Sequence, residues 1–319
     1  MTTDKLILCL CGGVGGAKLA RGLSQLLPPE ELLIAVNTGD DFEHLGLHIS
    51  PDLDSVMYAL AGLNDAERGW GLAQESWQFM QMLAAYGAPV WFNLGDKDLA
   101  THIQRTEGLR QGLSLDAITL SLCRSLGVQH RVVPMSNDPV QTRVNIGETQ
   151  LPFQDYFVRL RCEPPVQSVE FAGAGQATLQ PDFGQALHDA AAIIICPSNP
   201  FLSIAPILAV ADVKTTLQNR TQPVFAVSPL IQGRAVKGPA AKLMRELGLP
   251  VDNTGIAGYY RGLIDYLIID EADKADQDGI SQTGITPMSM PTLMRDEADR
   301  VRLAERIMQQ VRATQPNQS

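Results

Sequence analysis

The sequence has no long apolar run. Leu6–Cys11 and Ala190–Cys196 extend for only six and seven residues, against the ~20 that cross a bilayer. No basic start, apolar stretch and cleavage site combine into a secretory leader. Neither a membrane nor an export route is expected, and a cytoplasmic location is. Cysteine is scarce and odd in number: five residues, with no C-x-x-C and no Cys/His group at zinc spacing. A disulfide framework and a structural zinc site are therefore not expected. Cys9 and Cys11 fall on one face of an expected strand, where a thiol is a small hydrophobe. Basic charge is also short. Lys and Arg number 25 against 35 Asp and Glu, a formal net charge of -10. That argues against a broad nucleic-acid surface, and an anionic ligand would need a local remedy such as a metal ion or backbone N–H groups. No repeat or low-complexity segment is present. What remains is ordinary globular stock: 319 residues, 45% hydrophobic and 19% charged, enough for one large α/β domain or two average ones.

The apolar pattern points to a parallel α/β sheet with helices on both faces. Residues 5–11 read as a buried strand, the glycines at 12–16 as a turn, 17–23 as helix and 32–36 as a second strand. Helix-then-strand units return at 183–196, 205–228 and 238–270, and Ala-Ala-Ile-Ile-Ile-Cys is the continuous run that a strand buried on both faces needs. The middle differs. Residues 72–128 look helical, clearest from Leu115 to Leu126, and 130–171 look strand-rich and polar. The expected organisation is a core of 1–71 and 166–319 with an inserted mixed subdomain at 72–165. A last amphipathic helix carries Met294, Ala298, Val301, Ala304, Met308 and Val311 on one stripe.

Five segments carry possible chemistry. Gly12-Gly13-Val14-Gly15-Gly16-Ala17-Lys18 opens a helix, where free N–H groups and the helix dipole favour an anion. It matches neither sharper motif. The dinucleotide fingerprint needs Gly where Lys18 stands, and the P-loop needs Gly at Ala17 and Ser or Thr at Leu19. Asn37-Thr38-Gly39-Asp40-Asp41 follows the second strand, and Ser50-Pro51-Asp52-Leu53-Asp54 opens another helix. Ligands of open α/β sheets lie at the carboxyl ends of strands, so these carboxylates should approach the glycine turn and suit Mg²⁺ shared with phosphate oxygens. Helix capping is the plain alternative for Asp52 and Asp54. Trp91–His102 is a dense polar cluster in which Asp96 or Asp98 would cap a helix and His102 reads as a satisfied interior or surface histidine. Pro197–Ile204 offers Ser198, Asn199 and Ser203 to a ribose or phosphate, with Ser203 also placed to cap a helix. Ser228–Gly238 offers Arg234 and Lys237 to balance several phosphates.

The ordered set of these segments resembles the 2-phospho-L-lactate transferase family, which acts in biosynthesis of the deazaflavin coenzyme F420. The resemblance implies a Rossmann-like core, usually in a homodimer. It implies transfer of a phosphorylated three-carbon acid from a GDP-linked donor to the ribityl hydroxyl of 7,8-didemethyl-8-hydroxy-5-deazariboflavin, with release of GMP and a requirement for Mg²⁺. By position, Asp54 and Asn93 match places where the family contacts the deazaflavin, although many members carry a basic residue where this chain has Asn93. Asp40 and Asp41 match the acidic site for metal or acceptor activation. Gly12, Gly13, Gly15, Gly16 and Lys18, with Ser198 and Asn199, would face the donor. The expected metal ligands are thus Asp40, Asp41 and Asp54, and the expected proton acceptor is Asp41 or Asp54. This reading requires those aspartates on the same rim as the glycine turn and free of arginine partners. A related group looks like a nucleotide-sugar-binding regulator with Asp-Asp-Gly-Gly-Ser in its acidic loop, where this chain has Asp40-Asp41-Phe42-Glu43-His44. An NAD-dependent oxidoreductase is a weaker rival, since it needs an acidic residue where Asn37 closes the second strand.

Overall fold

The computed structural model describes residues 5–314. Its centre is a sheet of seven strands: β1 (Ile7–Cys11), β2 (Leu32–Val36), β3 (Arg131–Pro134), β4 (Ala192–Ile195), β5 (Val224–Val227), β6 (Tyr266–Ile269) and β7 (Thr286–Ser289). Every pairing is parallel, in the order β3-β2-β1-β4-β5-β6-β7. Successive side chains of a strand point to opposite faces, so β1 feeds two cores. Ile7, Cys9 and Cys11 pack with Leu19 and Leu23 of α1 (Gly13–Ser24) and Met57 of α2 (Pro51–Ala61). Leu8 and Leu10 pack on the other face with Phe183, Ile207 and Tyr260. Both faces of the sheet are thus covered, as a parallel sheet demands. This is the Rossmann-like α/β architecture.

The middle of the chain is woven into this core. Between β2 and β3 run α3 (Asp98–Arg110) and α4 (Leu115–Ser125). Residues 131–134, inside the segment set apart at 72–165, form the edge strand of the main sheet beside β2. Arg131 and Pro134 bracket that strand, and Pro is tolerated only where a sheet has a free edge, so it does not read as a buried parallel strand. A separate antiparallel sheet of Gln141–Ile146, Thr149–Pro152 and Ser168–Ala172 follows and runs past residue 165. At the far edge, β7 (Thr-Pro-Met-Ser) lacks an apolar run for the same reason. The helical part of the unit expected at 205–228 is two helices, Ala205–Ala209 and Val213–Asn219, parted where Ala211 adopts φ 43°. Among the described residues no single helix is long and apolar enough to cross a membrane.

The last helix, α5 (Glu297–Thr314), packs on α1 through Leu303 and Ile307. Close approach is possible because α1 carries Gly22. A Cβ there would stand 2.3 Å from the Arg300 carbonyl oxygen. Gly22→Ala is expected to push the helices apart at a cost of about 1–3 kcal/mol. Thermal unfolding would register this as a lowered midpoint; an unchanged midpoint would mean the two helices separate freely.

Candidate active site

From β1 the chain continues to β2 on one side, and from β4 to β5 on the other. Loops leaving the carboxyl ends of two such neighbours diverge and leave a crevice between them. A cavity of about 620 Å³ opens at this point.

The glycine turn forms one wall. Gly12, Gly13, Val14 and Gly15 line the cavity, whereas Gly16 does not and lies behind it. A Cβ on Gly16 would meet Ser198 Oγ at 2.5 Å and Cys11 Sγ at 2.8 Å. Gly13 has φ 62°, a left-handed conformation that favours glycine. Two of the turn's N–H groups are already used. Gly12 N–H donates to Ser198 Oγ (3.2 Å), whose hydroxyl donates back to the Gly12 carbonyl (2.7 Å). Gly13 N–H donates to Asp52 Oδ1 (2.8 Å). The first-turn N–H groups of Val14 and Gly15 have no intrahelical acceptor and are the ones offered to a ligand.

The four aspartates separate into two groups. Asp40 and Asp52 line the cavity. Asp52 also accepts from Asn37 Nδ2 (2.9 Å) and so joins the second acidic segment to the glycine turn. Burial pushes its carboxyl up to about 6, against the hydrogen bonds from Asn37 and Gly13 and with the charge of Asp41 adding to the rise. Asp40 is pushed further in the same direction by burial and by Asp52 and Asp41, and its carboxylate accepts from Thr142 Oγ1 at 3.4 Å. Asp41 does not line the cavity. Its Oδ2 accepts from Ser50 Oγ (2.6 Å) and lies 3.2 Å from His48 Nε2, while its buried Oδ1 has no partner. Asp54 lines the cavity but fails the requirement of freedom from arginine, which removes it from the expected metal ligands. Both of its oxygens accept from Arg105, Oδ2 at 3.2 Å from Nη1 and Oδ1 from Nη2.

Arg105 belongs to a polar seam between α2 and α3 that sequence reasoning missed. His102 Nδ1 lies 3.6 Å from Asp54 and His102 Nε2 lies 3.6 Å from Asp98. Tyr58 donates to Asp98 Oδ1 (2.5 Å). Burial pushes the Asp54 carboxyl up, and Arg105 and His102 pull it back only in part. The legible signal was the spacing Asp98, His102, Arg105 along one helix face, matched by Asp54 and Tyr58 on another. Asp98 and His102 are thus neither a simple cap nor a surface group, although the interior alternative for His102 holds.

The remaining residues distribute as follows. Lys18 lines the cavity but its Nζ donates to the Met294 carbonyl (2.9 Å), and burial, then Arg300 and Lys237, lower its proton affinity. Lys237 also lines it and donates to the Arg68 carbonyl (2.7 Å), tying the 65–71 loop across the mouth. Neither ammonium is paired with a carboxylate among the described residues. Arg234 is exposed on the hairpin of Leu230–Ile231 and Arg234–Ala235 and does not reach the cavity. Ser198, Asn199 and Asn93 line it. Asn199 Oδ1 accepts from the N–H groups of Phe201 (3.0 Å) and Leu202 (3.3 Å), so it caps a helical turn as well. Ser203 caps nothing and lines the cavity. An apolar wall of Ile49, Phe92, Phe153 and Phe157 faces the polar floor.

A Rossmann-like sheet with a glycine turn and buried carboxylates meeting at its switch point defines a class of α/β proteins whose ligand crevice lies at the carboxyl ends of the strands. Within that class, residues 7–306 match the family model described as 2-phospho-L-lactate transferase CofD. The chain is 38% identical over 316 residues to a phosphoenolpyruvate transferase of Streptomyces griseus, covering 96% of this chain and 99% of that one. It is 36% identical over 303 residues to a 2-phospho-L-lactate transferase of Methanosarcina mazei, covering 95% and 99%. In structure it is similar to a crystal structure of a UPF0052 family protein from Bacillus halodurans, at TM-score 0.62 and 14% identity over 95% of this chain and 98% of that one. This chain belongs to the 2-phospho-L-lactate transferase family.

Proposed function

We propose that the protein transfers a phosphorylated three-carbon acid, of the phospholactate, phosphoenolpyruvate or phosphoglycerate type, from a GDP-linked donor to the ribityl hydroxyl of 7,8-didemethyl-8-hydroxy-5-deazariboflavin. The reading is carried by one observation: the glycine turn and the carboxylates of Asp40 and Asp52 meet across one cavity at the switch point. The near-full-length likeness to transferases of two such acids supports it. We place the enzyme in the cytoplasm as a homodimer, in the biosynthesis of coenzyme F420.

A divalent cation fits the acidic group. Asp40 and Asp52 both line the cavity, and neither is paired with a Lys or Arg among the described residues; Asp41 lies outside it beside His48, with one buried oxygen unpartnered. Hard oxygens in this state suit Mg²⁺, which takes one or two carboxylates and fills its shell with phosphate oxygens and water. Asp40 and Asp52 would hold it on the cavity side, and Asp41 would support them from behind. Asp54, Asp98 and His102 are the group whose ligand atoms lie within 4.8 Å of one another among the described residues, but Arg105 already holds both Asp54 oxygens, so we give Asp54 a different task. When bound, Mg²⁺ supplies charge neutralisation for the donor's diphosphate.

The chain's own residues do the rest. Val14 and Gly15 N–H groups bind the phosphate oxygens, with Lys18 and Lys237 as the nearby positive charges. The ribityl oxygen forms its bond to the phosphorus that carries the acid, the bond from that phosphorus to the bridging oxygen breaks, and GMP leaves. Asp54 accepts the hydroxyl proton late in this step. The flat deazaflavin packs on the wall of Phe92, Phe153 and Phe157, beside Asn93. Asp54→Asn is expected to lower kcat by about 10²–10⁴-fold with little change in donor KM; a rate near that of the unaltered protein would remove Asp54 from the chemistry. The reading as a whole is tested by mass spectrometry of the product made from deazaflavin, GTP and each phospho-acid in turn, with the activating enzyme supplied. A deazaflavin phosphodiester is expected with at least one acid. No adduct with any, and no binding of deazaflavin on titration, would favour a regulatory protein.

A further inference from the structure

Arg105 does not line the cavity, yet it is the largest fully buried side chain among the described residues. A guanidinium is costly to bury, and apolar side chains of similar volume join two helices equally well or better. Its contacts show where its charge is directed. Nη1 and Nη2 take one oxygen of Asp54 each, a forked arrangement that fixes the carboxylate plane as well as its position. Nη1 also lies 3.4 Å from His102 Nδ1, and Nε is left without a partner. Asp54 sits in the first turn of α2 with Arg105 on one side and the cavity on the other. Asp54 thus links a guanidinium outside the cavity to the cavity itself, with His102 Nδ1 3.6 Å from its Oδ2.

We propose that Arg105 is a positioning residue for transfer: it acts on the reaction through Asp54, by holding that carboxylate in the orientation that meets the acceptor hydroxyl. His102, 3.4 Å from Arg105 Nη1 and lining the cavity together with Asp98, keeps the fork from rotating. This rests on the transferase reading above and on Asp54 as the group that faces the acceptor.

The test is a mutant cycle on the full-length protein. It compares the unaltered chain with Arg105→Lys, Asp54→Asn and the double variant, using deazaflavin, GTP, the accepted phospho-acid and the activating enzyme. Circular dichroism and GDP binding by calorimetry accompany the rates. Arg105→Lys keeps the charge and loses the fork. Its kcat is expected to fall by about 100-fold, the scale of a misplacement of about 1 Å, while donor KM and GDP affinity stay within about twofold of the unaltered chain. In the Asp54→Asn background the same change is expected to lower kcat by no more than about twofold, because its target is gone. If a lone buried lysine prevents folding of the double variant, Asp54→Asn/Arg105→Met removes both charges and answers the same question. Full activity in Arg105→Lys, or losses that multiply in the double variant, would overturn the proposal while leaving the transferase reading intact. An unimpaired Asp54→Asn would remove Asp54 from the chemistry and this proposal with it, whereas the transferase reading falls only if the unaltered chain forms no deazaflavin adduct.

Discussion

Gly15→Ala is expected to abolish most transfer and to destabilise the fold. A Cβ at Gly15 would stand 2.3 Å from the backbone oxygen of Pro197, well inside van der Waals contact. Backbone cannot swing aside as a side-chain tip can, so one of the two loops must retreat by about 1 Å. Both loops line the cavity: the turn after β1 offers its N–H groups there, and the loop after β4 carries Ser198 and Asn199. A displacement of that size costs about 10²-fold in rate, and overpacking costs about 1–3 kcal/mol in stability. Gly13→Ala provides the contrast. There the new Cβ has room, with Ser203 Oγ at 3.6 Å, and the burden is the positive φ alone, about 1–2 kcal/mol. Transfer assays and thermal midpoints on both variants should therefore rank Gly15→Ala as the more damaging. The reverse order would mean that the approach of the two loops is not what shapes the site.

Metal-free protein is expected to lose stability as the pH rises from about 4 to above 6. Asp52 holds its proton up to about 6 in the fold against 3.8 in the unfolded chain, chiefly because it is buried. Across that window the folded state binds more protons than the unfolded one. The contribution is therefore complete below the unfolded value and is lost as the pH passes the folded one. For about two pKa units this amounts to about 3 kcal/mol. Asp40 shifts in the same direction, through burial and the neighbouring Asp52 and Asp41, and extends the fall upward. Carboxylates that partners hold below their ordinary range, such as Asp270 with Thr292, act in the opposite sense, and only below pH about 4. Mg²⁺ binds the ionised carboxylates, so its stabilising effect should be small near pH 5 and large near pH 8. Thermal midpoints measured across this range with chelator and with Mg²⁺ would show diverging curves, and Asp52→Asn should flatten the chelator curve. Metal-free stability that climbed through the same window would mean these groups are satisfied as anions by the protein alone.

The local signals in the chain proved readable where one short segment contained its own cause. The run Leu6–Cys11 followed by five residues of which four are glycine could be little but a buried strand turning tightly into a helix, and it is β1 and α1. The polar clusters at 37–41, 50–54 and 197–203 all follow strands or open helices, and residues of each line the cavity. Asn37 matters to the oxidoreductase reading only as a position without a ribose ligand, yet it ties Asp52 to the 37–41 loop, donating to Asp52 and accepting from Gly39 N–H. The edge strand β3 falls in the polar strand-rich stretch expected in the insertion, not in the main sheet, and β7 is not read as a strand at all, because an edge needs no continuous apolar run.

The amino-acid sequence by itself determined the order of strands and helices, the glycine turn and the rim on which the acidic segments would gather, since each depends on periodicity and backbone freedom within a few residues. Tertiary structure alone decided what each acidic side chain does. Asp40 and Asp52 open on the cavity, Asp41 turns to His48 and Ser50, and Asp54 is gripped by Arg105 from 51 residues away. Identical carboxylates carry no mark of their future partners. Burial and the charges that folding brings beside them set their roles, and both come from distant parts of the chain.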